Sequence, residues 1–411
     1  MNARRLRDIL DSYELSEPWL RSLRIQQPQR AHSNLLSIAK TGISLDLLEV
    51  MIGQLEECLP KCADGDMALN NLDRAIAKTR SPLSVAAMFD RDPTALSILI
   101  QLFSTSQNFA ELIIHHLEYF DELRITGSTS PRPETLLAQL RREVNALQES
   151  DAISLTIRRF CQFHQLRIGY ADIIRNASLE IVTEQLSHLA DVIVQVSLDV
   201  ALKRVTERHG KPLHLDQQPT QFSVLAMGKL GGMELNYSSD IDLLFLYDKD
   251  GQTEGPHHIS NHEFFDRVGR ELIKLLSDHT ELGQAYRVDL RLRPEGSDGP
   301  LTRSFASTCH YYDVMGQTWE RQAMIKVRTI AGSQQLGQTF IRRLEPWIYK
   351  RYLGFTEINE IRSLKRRIEH RTHKQGESLL EVKTGIGGIR DIEFAIQFLQ
   401  LLNGGLSLIH I

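Results

Sequence analysis

Two short apolar runs separated by a glycine-rich segment most constrain how this chain folds. Phe222–Met227 and Ile241–Tyr247 are almost wholly apolar, and Gly-Lys-Leu-Gly-Gly follows the first of them. Apolar runs of this length, bounded by turn residues, are typical of buried strands. Asp240 and Asp242 stand at the start of the second run. Because side chains alternate along a strand, their carboxylates are predicted to project together from one face while Ile241 points into the core.

The flanking regions have helical periodicity, and the whole pattern predicts an α+β protein. Asp92-Pro93 is a cap signal followed by apolar residues at i, i+3, i+4 and i+7, and Ser106 restarts the pattern. A long pattern from Ala171 to His209 ends at Gly210. The predicted organisation is a helical N-terminal region, a catalytic domain with a small mixed sheet, a helical C-terminal region and a short tail. Their predicted ranges are 1–210, 211–335, 336–405 and 406–411.

Within the predicted catalytic domain, turn residues and periodicity place the remaining elements. The polar stretch Lys211–Thr220 is predicted to be a linker. A helix is predicted to begin near Asn261, a further strand to cover Tyr286–Leu292, and helices to return after Ser304. The Pro-rich and Gly-rich turns between these segments separate them into short elements.

Composition narrows the class of protein. The chain has 411 residues, 42% of them hydrophobic, a formal net charge of −4 and four cysteines. The weak negative charge argues against general nucleic-acid binding, and so few cysteines argue against a disulfide framework. No apolar run reaches the roughly 18 residues that a membrane-spanning helix needs. We therefore expect a cytoplasmic protein with free thiols and no membrane partner.

A second alternating segment supplies a third carboxylate. In Tyr286-Arg-Val-Asp-Leu-Arg-Leu-Arg293, strand alternation puts Arg287, Asp289, Arg291 and Arg293 on one face. A solvent-facing edge strand has the same alternation. Beside an Asp-x-Asp strand, however, Asp289 is predicted to join the other carboxylates, and the arginines are suited to hold anionic oxygens.

Clustered carboxylates repel one another unless a cation lies between them, and Mg²⁺ is the cation that takes oxygen ligands completed by substrate phosphates. The segment Gly228–Gly232 is a candidate phosphate loop, because glycines let backbone N–H groups approach a phosphate. Gly231-Gly232 is also compatible with an ordinary turn, and the segment is no Walker A motif. Together these features predict in-line displacement at phosphorus.

The glycine loop followed by Asp-Ile-Asp resembles the DNA polymerase β-like nucleotidyltransferase superfamily. If Gly228 is the anchoring glycine, Lys229 departs from the usual small residue; if Gly231-Gly232 is the anchor, the gap to Asp240 is shorter than usual. Either alignment keeps Asp240 and Asp242 as the metal-binding pair.

Four segments in order resemble the glutamine synthetase adenylyltransferase family. Their sequences extend over 228–242, 288–301, 319–328 and 383–394. Members of that family carry two nucleotidyltransferase domains in tandem, and by position this chain resembles the N-terminal, adenylyl-removing half. The resemblance implies removal of AMP from a tyrosine of glutamine synthetase by phosphorolysis, with release of ADP, as part of the regulation of nitrogen assimilation. It also implies ATP or ADP as nucleotide and the PII signalling protein as a further partner.

Carried over by motif, the resemblance implies two sets of site residues. The catalytic and metal-binding residues are Asp240, Asp242 and Asp289. The residues that contact nucleotide or phosphate are Gly228, Lys229, Gly231, Gly232, Ser239, Arg291, Arg293, Glu320, Arg321, Lys326 and Arg328. Without the resemblance, the charges at 320–328 favour a solvated helix with i,i+4 charge pairs. Lys383, Arg390 and Glu393 resemble a second glycine-rich element of the family.

Three positions depart from the family pattern or from a native chain. Met233 stands where many members have arginine, which removes one possible phosphate contact, and Asp391 replaces a commoner glutamate. The apolar stub Leu406–Ile411 resembles a translated adapter or a truncated gene, so it carries no functional prediction.

Two other interpretations stay open. The glycine loop also resembles that of PII uridylyltransferases, although their phosphohydrolase domain has an adjacent His-Asp pair and this sequence contains no His-Asp dipeptide. Alternatively, the chain is a non-catalytic regulatory module whose helices bind partner proteins. Retention of the clustered carboxylates argues against the latter, because an unused cluster of like charges is costly.

Overall fold

The computed structural model describes residues 3–126, 130–255, 258–349 and 387–404, with isolated positions 359, 363 and 366. Helices predominate and one small mixed sheet is present, consistent with the α+β prediction. Two compact units are distinguished: Met1–Pro131 with Phe160–Gln185, and Arg132–Arg159 with Leu186–Ile411. The domain boundaries at 210 and 335 stay predictions, and the tail 406–411 lies outside the described residues.

The first unit contains a series of short helices. They are Ala3–Asp11 (α1), Tyr13–Ser22 (α2), Pro28–Ala39 (α3), Leu45–Cys58 (α4), Gly65–Lys78 (α5), Pro82–Arg91 (α6), Pro93–Thr105 (α7), Gln107–His115 (α8) and Leu117–Thr126 (α9), with a 3₁₀ turn at Leu59–Lys61. The predicted cap at Asp92 is confirmed, because Asp92 accepts the N–H of Thr94 at 2.9 Å. Ser106, where the pattern restarts, caps α8 by accepting the N–H of Phe109 at 3.3 Å. α5 packs against both α3 and α7.

Three helices follow, of which the second and third are longer than any in the first series. They are Pro133–Asn145 (α10), Ser150–Arg175 (α11) and Leu179–His209 (α12). The predicted pattern from Ala171 to His209 is interrupted at Asn176, which adopts φ +52 and separates α11 from α12. Gly210 ends α12 as predicted, with φ +80. An L-residue there would meet the carbonyl oxygen of Glu254, since a Cβ atom would lie only 1.7 Å from it.

The second unit contains the sheet. Its strands are Pro212–His214 (β1), Phe222–Met227 (β2), Ile241–Tyr247 (β3), Gly251–Thr253 (β4), Val288–Asp289 (β5), Thr302–Ser304 (β6) and Arg328–Gly332 (β7). The order is β5-β3-β2-β7, β6 also pairs with β3, and β1 pairs separately with β4. The predicted bounds of β2 and β3 are confirmed. The predicted linker 211–220 was partly wrong, because β1 lies within it and its backbone pairs with β4.

Helices cover both faces of this sheet. They are Gly228–Gly231 (α13), Asn261–Ser277 (α14), Phe305–Val314 (α15), Thr318–Met324 (α16), Gln334–Ile348 (α17) and Ile389–Gly404 (α18), with a 3₁₀ turn at Gly296–Asp298. On one face Phe265 of α14 stacks on Phe222 and Tyr247, with ring centroids 4.9 and 5.2 Å apart. On the other face Leu244 packs in a cluster with Phe340 of α17.

This packing decides where polar residues are accessible. The interior of β2 and β3 is covered on both sides, so charged side chains lie at the strand ends. Within the described residues, none of the helices combines the length and the apolar character needed to cross a bilayer.

Candidate active site

The register of two strands brings a pair of the predicted carboxylates together. β3 and β5 run parallel, and Asp242 pairs directly with Asp289. Neighbouring strands lie about 4.8 Å apart, and paired residues project from the same face. Asp240 directly precedes β3, two residues from Asp242. All three carboxylates therefore belong to one end of two adjacent strands.

Beyond Asp289 the predicted strand was wrong. β5 ends at this residue, whose Oδ1 accepts the backbone N–H of Arg291 at 2.9 Å. An aspartate that accepts from the N–H two residues onward forms an Asx turn, which replaces the next rung of the strand. Arg291 and Arg293 consequently lie in a turn and do not continue the alternating face.

The turn directs Arg291 back onto Asp289. Its Nε lies 2.9 Å from Oδ2, and a terminal nitrogen lies 2.5 Å from the same oxygen. This guanidinium holds the pKa of Asp289 below its ordinary value. Asp289 in turn raises the pKa of Arg291, and the charges of Asp242 and Asp240 add to the effect. Arg291 thus stands in the field of all three carboxylates.

Arg287 is a site residue that the sequence prediction did not assign. Its Nε donates a short hydrogen bond to Oδ1 of Asp240. The signal was present in the sequence, because alternation places Arg287 and Asp289 on the same face of one strand. Two of the three carboxylates therefore have an arginine partner, Asp240 with Arg287 and Asp289 with Arg291.

The glycine loop directly adjoins Asp242. Met227, the last residue of β2, pairs with Asp242, and Gly228 follows with φ +57. A Cβ atom at Gly228 would lie 2.5 Å from Oδ2 of Asp242. Only glycine therefore allows the backbone of the loop to approach this carboxylate so closely.

The other loop residues are held by their surroundings. A Cβ atom at Gly231 would lie 2.1 Å from the carbonyl oxygen of Lys326, and one at Gly232 would lie 2.9 Å from the Cδ atom of Lys326. Lys229 belongs to the short helix α13. Ser239 accepts the N–H of Asn236 at 3.3 Å, which forms the turn that leads to Asp240.

Arg293 is engaged by the backbone of its own loop. Its guanidinium donates to four carbonyl oxygens, at 2.9 to 3.2 Å, those of Leu290, Ser297, Gly299 and Pro300. A cation used in this way stabilises the loop that follows β5. The structure does not bring its guanidinium to the three carboxylates.

Glu320 and Arg321 lie in the interior, not on the solvated helix that was the alternative interpretation. Glu320 accepts the hydroxyl of Tyr311 at 3.0 Å and the N–H of Gln317 at 2.7 Å, and it caps α16. Burial raises the pKa of Glu320. The guanidinium of Arg321 lies over the ring of Trp347, 5.1 Å from its centroid.

Lys326 and Arg328 adjoin the glycine loop. The ammonium of Lys326 lies 2.7 Å from Glu234 and 3.5 Å from Glu393 of α18. The second glycine-rich element therefore reaches the loop through Lys326, whereas Lys383 lies outside the described residues. Arg328 pairs with Asp191 of α12 and donates to the carbonyl oxygen of Leu230 at 3.0 Å.

The positions of the side chains bear on whether the site can hold a metal ion. Within the described ranges, no three histidine, cysteine, aspartate or glutamate side chains surround a common point in the manner of metal ligands. Two carboxylates of the candidate site instead face Arg287 and Arg291. The backbone nevertheless fits a metal site, because the strand register sets Asp242 beside Asp289 and glycine leaves Asp242 uncovered at Gly228.

Comparison with known proteins gives two family matches. The profile described as glutamate-ammonia ligase adenylyltransferase matches residues 96–343. The profile described as GlnD PII-uridylyltransferase matches residues 360–411.

Curated relatives carry the name bifunctional glutamine synthetase adenylyltransferase/adenylyl-removing enzyme. The protein of Pseudomonas aeruginosa is 42% identical over 278 residues, which are 67% of this chain and 28% of the relative. That of Idiomarina loihiensis is 38% identical over 268 residues, 65% of this chain and 28% of the relative. That of Thioalkalivibrio sulfidiphilus is 35% identical over 310 residues, which are 75% of this chain and 32% of the relative. The chain thus spans about a third of these relatives or less, and it matches their N-terminal region.

Proposed function

Because the chain belongs to the glutamate-ammonia ligase adenylyltransferase family, we propose that its second unit carries an adenylyl-transferring site for glutamine synthetase. Membership confirms the resemblance drawn from the four sequence segments. The observation that carries the proposal is the direct pairing of Asp242 with Asp289, next to Gly228, whose lack of a Cβ atom lets the loop backbone approach Asp242. A carboxylate pair beside a backbone phosphate cradle is the chemistry that polymerase β-like nucleotidyltransferases use, and we propose that fold for this unit.

The proposed reaction is removal of AMP from a tyrosine of glutamine synthetase. An oxygen of inorganic phosphate forms a bond to the adenylyl phosphorus, while the bond from that phosphorus to the tyrosine oxygen breaks. ADP is the nucleotide product, and the tyrosine oxygen takes up a proton. We propose this direction because the relatives are named as both adenylyltransferase and adenylyl-removing enzyme, and the match lies in their N-terminal region.

Within this reaction we assign the carboxylates to the metal. Asp240, Asp242 and Asp289 would hold one or two Mg²⁺ ions, which when bound neutralise charge on the phosphate oxygens. The exposed guanidinium of Arg291, beside Asp289, is placed to turn towards an anion when a cation occupies the carboxylates. Backbone N–H groups of the Gly228–Gly232 loop, together with Lys229, would hold the incoming phosphate.

The remaining predicted contacts are assigned differently. Arg293, Glu320 and Arg328 already form hydrogen bonds within the protein, and Arg321 lies over the ring of Trp347, so we propose that these residues shape the loops around the site. Lys326 is shared between two glutamates, and we propose that it joins the two glycine-rich elements.

The test measures release of AMP from adenylylated glutamine synthetase in the presence of Mg²⁺ and phosphate, by the mass of the intact subunit. We expect the wild-type chain to remove the AMP group, which leaves as ADP, and Asp242→Asn to remove none. Asp250→Asn is the matched control, because Asp250 is an exposed aspartate beyond the opposite end of the same strand. Undiminished activity in Asp242→Asn contradicts the assignment of this carboxylate.

A second candidate is uridylyl transfer to the PII protein, which the match over residues 360–411 favours. The two functions are separated by offering adenylylated glutamine synthetase with phosphate and, in parallel, PII with UTP. Incorporation of UMP without any release of AMP supports the second candidate. If neither reaction occurs and calorimetric titration with Mg²⁺ and ADP produces no heat, the chain is a binding module.

A further inference from the structure

The long helix α12 carries a polar stripe towards the sheet. Ser187, Asp191 and Gln195 lie four residues apart, so they share one face of the helix. Each one contacts backbone or side chain of the catalytic sheet region within the same compact unit. Ser187 accepts the N–H of Leu235 at 3.2 Å, and Gln195 accepts the N–H of Gly332 at 2.9 Å. The stripe therefore touches both the segment that follows the glycine loop and the last residue of β7.

The central member of the stripe, Asp191, forms a bidentate pair with Arg328. The two terminal nitrogens of Arg328 lie 2.6 and 3.0 Å from the two carboxylate oxygens. The side chain of Arg328 is 28% exposed, and that of Asp191 is 18% exposed. Two parallel hydrogen bonds fix the plane of a guanidinium as well as its position. Asp191 thus sets the orientation of Arg328 from outside the sheet.

The oriented guanidinium acts on the glycine loop. One of its terminal nitrogens also donates to the carbonyl oxygen of Leu230 at 3.0 Å. Leu230 is the middle residue of the Gly228–Gly232 segment. Gly231 packs against the carbonyl oxygen of Lys326, two residues before Arg328, at a distance that leaves no space for a Cβ atom. The loop is therefore clamped between the start of β7 and helix α12.

We infer that Asp191 is a positioning residue for the phosphate loop, acting through Arg328 on the carbonyl of Leu230. The inference rests on the proposed function of Gly228–Gly232 as a phosphate cradle. Fixing the carbonyl of Leu230 also fixes the N–H of Gly231, because the two belong to one planar peptide unit. The pair accordingly sets the direction in which this loop N–H faces the incoming phosphate.

The first arm of the test measures loop order without any ligand, by hydrogen exchange of the full chain with Arg328→Lys. Lysine keeps the charge but lacks the planar fork that reaches both Asp191 and Leu230. We expect exchange in residues 228–235 to rise about tenfold while strand 241–247 is unchanged. Arg141→Lys is the matched control, because Arg141 pairs with Asp199 of the same helix at 2.8 Å. Equal loop exchange in the two variants, or a lower melting temperature with an unaltered loop, overturns the inference.

The second arm measures phosphate-dependent release of AMP. A loop that is displaced by about 1 Å loses up to roughly a hundredfold in rate. We expect Arg328→Lys to raise the KM for phosphate about tenfold with a smaller change in kcat, because the loop is assigned to phosphate binding. Asp191→Asn is expected to raise the KM for phosphate in the same way, with a smaller change in kcat. Arg141→Lys is expected to change neither constant. An unchanged KM for phosphate with a lowered kcat contradicts the assignment.

The two arms separate failure of the inference from failure of the proposed function. If the wild-type chain releases no AMP, the proposed function fails, and the exchange arm, extended to Asp191→Asn, still decides whether the pair of Asp191 and Arg328 orders the loop. If the wild type is active and loop exchange is the same in Arg328→Lys and Arg141→Lys, the proposed function stands and the positioning role is refuted.

Discussion

Gly228→Ala tests the close approach of the loop to Asp242 most directly. A Cβ atom at position 228 would lie 2.5 Å from Oδ2 of Asp242, whereas ordinary contact begins near 3.4 Å. The carboxylate must therefore move by about 0.9 Å, which it does readily because it ends a side chain. A misplacement of about 1 Å in a reacting group costs up to roughly a hundredfold in rate. We expect a loss of AMP release of that order.

The effect of Gly228→Ala on stability is much smaller. Gly228 adopts φ +57, and an L-residue in this region costs about 1–2 kcal/mol. Alanine offsets about 0.4–1 kcal/mol of this loss in stability, because it restricts the unfolded chain more than glycine does. The free energy of unfolding should fall by about 1 kcal/mol, which lowers the melting temperature by about 2–4 °C. Differential scanning fluorimetry measures this shift.

A matched control separates backbone strain from the contact with Asp242. Gly283 adopts φ +72, and a Cβ atom there would meet nothing within 4 Å. Gly283→Ala should therefore lose similar stability but no activity. If both variants lose activity equally, the contact with Asp242 is irrelevant. If Gly228→Ala keeps full activity, the reasoning about this loop is refuted.

Four further substitutions test the assignments around the site. Arg291→Gln should lower phosphate-dependent turnover while leaving the melting temperature nearly unchanged, because its guanidinium is exposed and such an ion pair contributes about 0–1 kcal/mol. Arg293→Gln should instead lower the free energy of unfolding by about 1–3 kcal/mol, since several loop carbonyls lose their donor, and fluorimetry compares the two variants. Met233→Gly should raise the free energy of unfolding in urea by up to about 1 kcal/mol, because Met233 adopts φ +59; an unchanged transition midpoint would contradict this. Burial raises the pKa of Glu320, so wild-type stability should fall as pH rises from the ordinary glutamate value of about 4.3 through the folded pKa, and Glu320→Gln should flatten this part of the curve of melting temperature against pH.

The strands at the centre of the site were predictable because their signal is local. Phe222–Met227 and Ile241–Tyr247 were predicted with the bounds that the structure has, since continuous apolar runs between turn residues have few alternative structures. The same pattern set Asp242 at a strand end. The helix cap at Asp92 and the restart of the helical pattern at Ser106 were also local signals and were found for the same reason.

Elements that were mispredicted depend on side chains that compete with the backbone. The alternation over Tyr286–Leu292 is real, but Asp289 accepts the N–H of Arg291 and ends the strand. Asn176 similarly interrupts a helical pattern by adopting a left-handed conformation that asparagine tolerates better than most residues. In both cases one polar side chain outweighs the periodicity around it.

The contacts that hold the glycine loop in place were the least predictable part of the site, because the residues that form them are distant in sequence. Arg328 follows Asp191 by 137 residues, and its other partner is a backbone carbonyl that has no sequence signal. On a helix, polar residues spaced by four such as Ser187, Asp191 and Gln195 indicate a solvated face when the sequence alone is considered. In the folded chain that face meets Leu235, Arg328 and Gly332. Arg328 is predicted to contact nucleotide or phosphate, and its pairing with Asp191 on a helix distant in sequence had no sequence signal.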